Sequence, residues 1–354
     1  MVNDIARLLN LIKIKPNVSV REAIISLVNG KKKTIFIVDD EDKLIGLFTN
    51  GDMRRYLLQG KDLSVPISEA MNVSPVCFKT RHEADLARSE GSFVIYPIVN
   101  DNGVLTDALF ERESPDINFI NSELSDIPLV IMAGGKGTRL HPYTKILPKA
   151  LIPIGDYTIT ERIISTFEKF GCSEVHMILN HKANMIRAYF NDLKKDYSID
   201  FVQEESFLGT AGGLYLLKDK LKSTFFMSNC DILINDDLAC VYHTHVKDRN
   251  AITFVCSIKT IEIPYGVIST NDSGRLLSID EKPKYSHFVN TGVYVIEPEV
   301  FKYLKEGEFI HITDLAIRCS NAGERVGVFP ISENSWLDMG EFKNMEEMLK
   351  EFEI

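Results

Sequence analysis

Between Met132 and Gly155 the chain carries four basic residues, Lys136, Arg139, Lys145 and Lys149, and no Asp or Glu, within a protein of net charge −10. The run begins Ala133-Gly134-Gly135-Lys136-Gly137-Thr138-Arg139, straight after the apolar stretch Leu129–Met132, which reads as a buried strand. Glycines after a strand let backbone N–H groups approach an anion closely, and cationic side chains add charge at the same place. The chemistry indicated is phosphate binding. Two familiar phosphate loops do not fit. No window obeys G-x-x-x-x-G-K-[ST], and G-x-G-x-x-G is met at Gly135 and Gly137 but finds Leu140 in its third place. Pro142 and Pro148 also bar a helix directly after the glycines. Further on, Asp231 closes the apolar run Thr224–Asp231, where an ionised carboxylate must be wet, paired or metal-bound.

The elements that position these residues follow from pattern. Thr158-x-x-Glu161 is a capping box, opening a helix that Gly171 ends. Glu174–Leu179 and Ser198–Glu204 read as strands, Lys182–Lys195 as a helix, and Gly209 to Leu221 as another helix. Asp236 and Asp237 cap the helix after Asp231, and Glu341–Phe352 reads as the last helix. Alternating strands and helices imply a doubly wound, mainly parallel α/β sheet, in which ligands sit at the carboxyl ends of strands. The basic loop, Gln203 and Asp231 all fall at such ends.

The first third differs. Ser19 with Glu22 caps a helix that stops at Gly30; strands Thr34–Asp40 and Leu44–Thr49 follow, then a helix from Asp52 to Gln59. The unit repeats at an offset of 61: Ile37-Val38-Asp39-Asp40 falls on Ile98-Val99-Asn100-Asp101, and Leu44 on Leu105. The second copy departs from the first, with Asp107 for Gly46, Phe110 for Thr49, Glu113 for Asp52 and a short helix, His82–Glu90. Glu111–Pro128, polar with two prolines, reads as the linker between a domain over residues 1–122 and one over 123–354.

The totals set limits. A chain of 354 residues exceeds one typical core. Residues 1–122 carry 15 Lys or Arg against 17 Asp or Glu, and the remainder 25 against 33, so neither part offers the basic surface a nucleic acid needs. Six cysteines without C-x-x-C spacing argue against zinc and for a reducing compartment. With no apolar stretch long enough for a membrane span and no cleavable leader pattern, a soluble cytoplasmic protein is expected.

From Gly134 to Lys149 the loop resembles the signature of the sugar-1-phosphate nucleotidyltransferases, roughly G-G-x-G-T-R-L-x-P-x-T-x-x-x-P-K, and later matches are spread over most of the remaining chain. The resemblance implies that Lys136 and Arg139 grip the β and γ phosphates of a nucleoside triphosphate. It further implies that Lys149 bridges the α-phosphate and the sugar phosphate, and that Ala133 to Thr138 wrap the nucleotide. Gly209-Thr210-Ala211-Gly212 resembles the segment facing base and ribose. Asp231 corresponds to the family's Mg²⁺-binding Asp, although Cys230 stands where relatives often have Gly. Trp336-Leu-Asp338-Met-Gly340 resembles the W-x-D-x-G turn whose Asp completes the metal site; two carboxylates suit Mg²⁺, which usually takes one or two protein oxygens plus phosphates and waters. Tyr265-Gly266, Asp280-Glu281-Lys282-Pro283 and Asn290-Thr291-Gly292 resemble the sugar-binding segments, with Glu281 on the sugar hydroxyls and Lys282 on the sugar phosphate. Asp156-Tyr157 departs from the proline that many relatives place after Gly155.

The first third resembles a CBS pair, whose second-strand-to-helix motif is matched at Gly46-Leu-Phe-Thr49-Asn-Gly-Asp52. That implies an adenine nucleotide held by Thr49 and Asp52; since CBS pairs commonly dimerise, it also implies a homo-oligomer. The bland alternative is a spacer. The implied reaction is transfer of a nucleotidyl group from a nucleoside triphosphate to a sugar-1-phosphate. The loop and the brevity of the domain resemble guanylyltransferases acting on mannose-1-phosphate or a related hexose. A CBS pair ahead of such a domain resembles the bacterial enzymes that make GDP-glucosamine for legionaminic acid synthesis. GTP and an amino-hexose-1-phosphate are therefore expected; uridylyl, thymidylyl and cytidylyl transfer are the alternatives. A nucleotide-sensing regulator with an inactive transferase domain is the reading from another class.

Overall fold

The computed structural model describes residues 12–29, 34–89, 95–110 and 122–340. The expected linker up to residue 121, the stop at Gly30, Glu113 and the final helix Glu341–Phe352 lie outside them. The chain divides into two compact units, Met1–Asn118 and Phe119–Ile354.

In the first unit, β1 (Lys13–Ile14), β2 (Thr34–Val38) and β3 (Leu44–Thr49) form one sheet, and β4 (Ile95–Val99) and β5 (Leu105–Phe110) a hairpin. The 61-residue repeat is visible in the pairing. Thr34 faces Thr49 as Ile95 faces Phe110, and both hairpins carry an irregularity at the same place, Ile37/Val38 and Ile98/Val99. Their turns match too, with positive φ at Asp42 and at Gly103; Asp tolerates this conformation better than most residues because its short side chain bonds locally. The two turns exchange backbone bonds reciprocally, Leu44 N–H to Gly103 O at 3.0 Å and Leu105 N–H to Asp42 O at 3.1 Å. Phe36, Val38, Leu47, Ile95, Val99 and Leu105 pack as a shared core.

In the second unit, β6 (Leu129–Ala133) is followed by a small hairpin of β7 (Pro153–Ile154) and β8 (Tyr157–Thr158). Then come β9 (Glu174–Leu179), β10 (Ser198–Gln203), β11 (Phe225–Asn229), β12 (Ile232–Ile234), β13 (Ile252–Glu262), β14 (Gly266–Thr270), β15 (Leu276–Glu281), β16 (Lys284–Ile296), β17 (Val326–Ile331) and β18 (Trp336–Asp338). Seven strands make the main sheet in the order β10-β9-β6-β11-β16-β13-β17, parallel except for both pairings of β16. Alternate side chains feed two cores. Leu129, Ile131, Val175, Met177 and Phe226 pack with Ile163, Phe167, Ile186 and Val241 from helices on one face. Val130, Ile178, Phe225 and Met227 pack with Leu214, Leu217, Leu315 and Cys319 on the other. The doubly wound, mainly parallel sheet expected from the sequence is therefore present.

Local differences have local causes. The segment after Gly209 is a 3-10 turn, Gly212–Leu217, not an α-helix; Ala211 and Gly212 donate to Ile310 O, which holds its start to another segment. The helix expected from Lys182 runs Ala183–Asp192, because Lys182 takes a left-handed backbone. Short turns, Thr138–Leu140 and Tyr143–Ile146, follow the glycine loop on either side of Pro142. The Thr158 capping box forms as expected: Glu161 N–H donates to Thr158 Oγ1 at 3.2 Å, and Thr158 N–H to Glu161 Oε2 at 2.8 Å. A Thr158→Ala variant is expected to lower unfolding stability by about 1 kcal/mol, read as a lower urea midpoint at unchanged slope; an unchanged midpoint would show that the cap contributes nothing.

Candidate active site

Register brings four strand ends to one rim. Gln203 lies opposite Leu179 and Leu179 opposite Ala133, while Met132 lies opposite Asn229. The loops leaving β6, β9, β10 and β11 therefore share one edge of the sheet.

At the β11 end, Lys149 and Asp231 form an ion pair. Asp231 is 6% exposed. β12 and β18 pair antiparallel with Ile232 opposite Asp338, and Met339 N–H donates to Asp231 O at 3.0 Å. That small ladder brings the two carboxylates together across more than a hundred residues of sequence. Asp338 is held by the Gly340 N–H at 2.6 Å. Burial raises its pKa foremost and Asp231 raises it further, whereas the Gly340 N–H, Lys149 and Arg139 lower it. A Cβ at Gly340 would lie 3.4 Å from both terminal nitrogens of Arg139, so the guanidinium is beside this turn. Asp231, Asp338, Lys149 and Arg139 thus form one cluster. Among the described residues no group of three or more His, Cys, Asp or Glu is arranged to hold a metal; the cluster offers two carboxylates, and a hard cation there would need phosphate and water oxygens to complete it.

The loop that delivers Lys149 and Arg139 is braced from within. Gly137 has φ 63°, Thr144 Oγ1 donates to its carbonyl at 2.8 Å, and a Cβ there would lie 3.1 Å from Lys149 Cβ. Lys182 Nζ donates to the carbonyls of Thr144, Lys145 and Ile146 at 2.9, 2.7 and 2.8 Å. One ammonium after β9 thereby satisfies three carbonyls at a helix end and fixes the loop's far half. Lys136 Nζ lies 5.1 Å from the centre of the Phe207 ring.

Not every expected contact residue is presented to a ligand. Thr291 is 2% exposed and its hydroxyl donates to Val255 O at 2.7 Å, beside the irregularity between Val255 and Cys256. It braces that distortion instead of offering a sugar contact. Thr210 Oγ1 accepts the Ile312 N–H at 3.0 Å, and Gly209 lies against Ile310 O, so both are tied to the segment before the Ile312–Asn321 helix. Ala133 is buried at the end of β6. Gln203 is exposed, with Oε1 accepting from Arg187 Nη1 at 2.8 Å. Asn290 uses both ends of its amide, Nδ2 to Tyr294 Oη at 2.8 Å and Oδ1 from Gly292 N–H at 3.1 Å. Gly292 packs against Asn229, which brings this segment to the β11 end. Tyr265, Gly266, Glu281 and Lys282 lie on the exposed two-stranded arm of β14 and β15, with Gly266 opposite Glu281 and Lys282 N–H on Tyr265 O at 3.3 Å. In the first unit, Thr49 and Asp52 form a capping box, Asp52 Oδ2 accepting from Thr49 N–H at 2.9 Å and Oγ1 at 2.7 Å.

The sequence reading passed over Glu204. It is 4% exposed, its Oε1 is buried without a hydrogen-bond partner, and burial pushes its carboxyl up to about 7 despite the Asn180 amide beside it. Room for it exists only because two neighbours lack side chains: a Cβ at Gly134 would lie 3.0 Å from Oε2, and one at Gly213 would collide with Oε1. A carboxylate one residue beyond a strand at the carboxyl rim was the available signal.

The folded state prefers Glu204 neutral, so its stabilising contribution is full below the ordinary value of 4.5 and is lost as pH rises towards 7. Glu204→Gln is accordingly expected to raise the melting temperature relative to the parent by several degrees more at pH 8 than at pH 4.5, on the order of 3 kcal/mol. Equal differences at the two pH values would show that the carboxyl is not strained by burial.

Residues 129–353 match the nucleotidyl transferase family model, and residues 2–59 match the CBS domain model. A UTP–glucose-1-phosphate uridylyltransferase of Synechocystis sp. is 32% identical over 51% of this chain and 51% of its own length. A mannose-1-phosphate guanylyltransferase of Mycobacterium tuberculosis is 27% identical over 60% of this chain and 61% of its own. The chain spans about half the length of the curated relatives it matches. A solved structure, a putative glucose-1-phosphate thymidylyltransferase from Bacillus anthracis, superposes with TM-score 0.51 at 21% identity, covering 63% of this chain and 94% of that one, which shows a shared fold.

Proposed function

The chain belongs to the nucleotidyl transferase family, and we propose that it is a sugar-1-phosphate nucleotidyltransferase, taking GTP and an amino-hexose-1-phosphate. The observation that carries this is the cluster of Lys149, Arg139, Asp231 and Asp338 at the end of β11, beside a loop free of acidic residues. The guanylyl preference draws support from the guanylyltransferase relative, whereas the uridylyl and thymidylyl names among the others keep those bases as alternatives.

In the reaction a sugar-phosphate oxygen attacks the α-phosphorus of the triphosphate in line. A new P–O bond forms, the bond to the bridging oxygen of the β-phosphate breaks, and pyrophosphate leaves with that electron pair. The substrate phosphate is already an anion, so the protein needs no side-chain nucleophile; its task is to hold two anions together and neutralise the charge that develops. Lys136 and Arg139 hold the β and γ phosphates. Lys149 exchanges Asp231 for phosphate oxygens as the substrates enter, spanning the α-phosphate and the sugar phosphate. Glu281 and Lys282 on the β14–β15 arm orient the sugar and its phosphate. Asp231 and Asp338 would hold Mg²⁺, which supplies further neutralisation of the phosphates. The first unit is read as the site of an adenine nucleotide, with the Thr49–Asp52 capping box opening to meet it.

Lys149→Ala and Asp231→Asn are each expected to cut pyrophosphate release by at least about 10³-fold while circular dichroism stays unchanged; near-parent rates in either would remove that residue from the mechanism. Chelation of divalent cations is expected to abolish release, and added Mg²⁺ to restore it. Calorimetry of the full chain with AMP, ADP, ATP and S-adenosylmethionine is expected to give heat with one of them that Asp52→Ala removes; no heat with any would leave the first unit as a spacer.

A further inference from the structure

Beyond the main sheet, β13 and β16 run on as a two-stranded ribbon that the β14–β15 arm completes. Their last neighbours are Ile331 of β17, opposite Ser257, and Ser228 of β11, opposite Val293. From Ile258, opposite Phe288, to Thr270, opposite Leu276, the two strands pair only with each other among the described residues. The bend between the two stretches keeps the pairing, Ile263 N–H donating to Pro283 O at 3.0 Å and Lys282 N–H to Tyr265 O at 3.3 Å. Asn271 closes the tip, its Oδ1 accepting the Arg275 N–H at 2.9 Å. At about 3.3 Å per residue this is roughly 40 Å of ribbon. Every residue of β15 is exposed, as is all of β14 except half-buried Val267. Large apolar side chains are set out along it. Ile261 faces Tyr285 and Ile268 faces Ile279 across the ribbon, and Tyr265, Ile268, Leu277 and Ile279 are each more than half exposed. Directly opposed residues share a face, so each facing pair is a double apolar patch. Two strands alone are marginally stable in water, and apolar surface of this extent marks a face built to be covered.

We propose that two copies of the chain pack ribbon against ribbon about a two-fold axis, and that this contact holds Glu281 and Lys282 in place. Charge selects the occupant. Residues 258–288 carry four Lys or Arg against four Asp or Glu, whereas the whole chain has net charge −10. The ribbon is the neutral limb of an acidic molecule. A second ribbon therefore meets it without the net repulsion that two acidic bodies otherwise exert. A strongly basic or acidic partner gains nothing from a stretch without net charge. Symmetry suits the apolar pairs as well, because a two-fold contact sets the same patch of one copy against the same patch of the other. Position gives the consequence. Lys282 stands at the bend with φ 50°, and Glu281 lies opposite Gly266 just beyond it. Both ride on a limb whose last tie to the sheet is at Ser257, so covering the limb fixes them. The self-association stands apart from the transferase reading above; its effect on the sugar phosphate rests on that reading.

The test uses the full chain. Sedimentation velocity over about a hundredfold range of concentration measures self-association. Hydrogen exchange of the 258–288 peptides is compared between dimer and monomer, the monomer being reached by dilution or, for a tight dimer, by the variant. The parent is expected to dimerise, with ribbon amides exchanging at least about tenfold more slowly in the dimer. Ile268→Asp combined with Ile279→Asp puts four carboxylates at the contact. It is expected to give a monomer whose KM for hexose-1-phosphate rises at least about tenfold while the KM for the triphosphate stays unchanged. Should that variant fail to fold, exchange in the parent decides alone. A parent that stays monomeric, ribbon amides that exchange alike in dimer and monomer, or a folded variant as dimeric as its parent overturns the contact: the ribbon is then covered from within its own chain, or another surface joins the copies. A monomeric variant with the parent's KM for the sugar phosphate overturns the part given to Glu281 and Lys282. If the ribbon contact forms and no sugar phosphate supports pyrophosphate release, the transferase reading falls and the contact stands. If a monomeric parent releases pyrophosphate, the contact alone falls.

Discussion

The ion pair between Lys149 and Asp231 is the contact around which the candidate site of the second unit is arranged. Each member is mostly withdrawn from water, and removing either would leave the other an uncompensated buried charge. Their pairing requires two supports. The glycine loop has to turn twice so that its last cation returns to the end of β11, and β18 has to lie against β12 so that Asp338 joins Asp231. The four-strand rim gives both supports a common origin. A cation already paired with a carboxylate is also a cation held in place, so in the proposed reaction substrate entry is an exchange of partners and not a search for one.

The rim divides labour between charge and shape. At the β11 end sit Lys149, Arg139, Asp231 and Asp338, the charges proposed to meet phosphates. At the β9 and β10 ends sit Asn180, Gln203 and Glu204, none of them cationic, with burial holding the Glu204 carboxyl towards its neutral form. Lys182 stands between the two regions and contributes by geometry, its ammonium spent on three backbone carbonyls of the loop. Such a residue fixes the loop that carries Lys149 by holding three of its backbone carbonyls.

Much of this was legible in the sequence where one residue type has one physical use. The acid-free basic loop, the Thr158–Glu161 cap, the 61-residue repeat and the alternation of strands and helices all announce themselves locally. What could not be read depends on contacts between distant segments. Thr291 looked like a ligand contact because its neighbours match a motif, yet it is buried and its hydroxyl donates to Val255 O, far away in sequence. The segment after Gly209 has helical composition, but bonds to Ile310 O hold it as a 3-10 turn. Glu204 resembles any exposed acidic residue until the missing side chains of Gly134 and Gly213 are seen to enclose it.

The reciprocal bonds between the two turns of the first unit set terms for how that unit can change over generations. Leu44 with Gly103 and Leu105 with Asp42 are one contact written twice, each half supplying both a donor and an acceptor. An insertion in either turn would displace its own acceptor and its neighbour's donor together. Because the bonds run between backbone groups, the two turns can differ in side chains, as Asp42 and Gly103 do, while their lengths stay coupled.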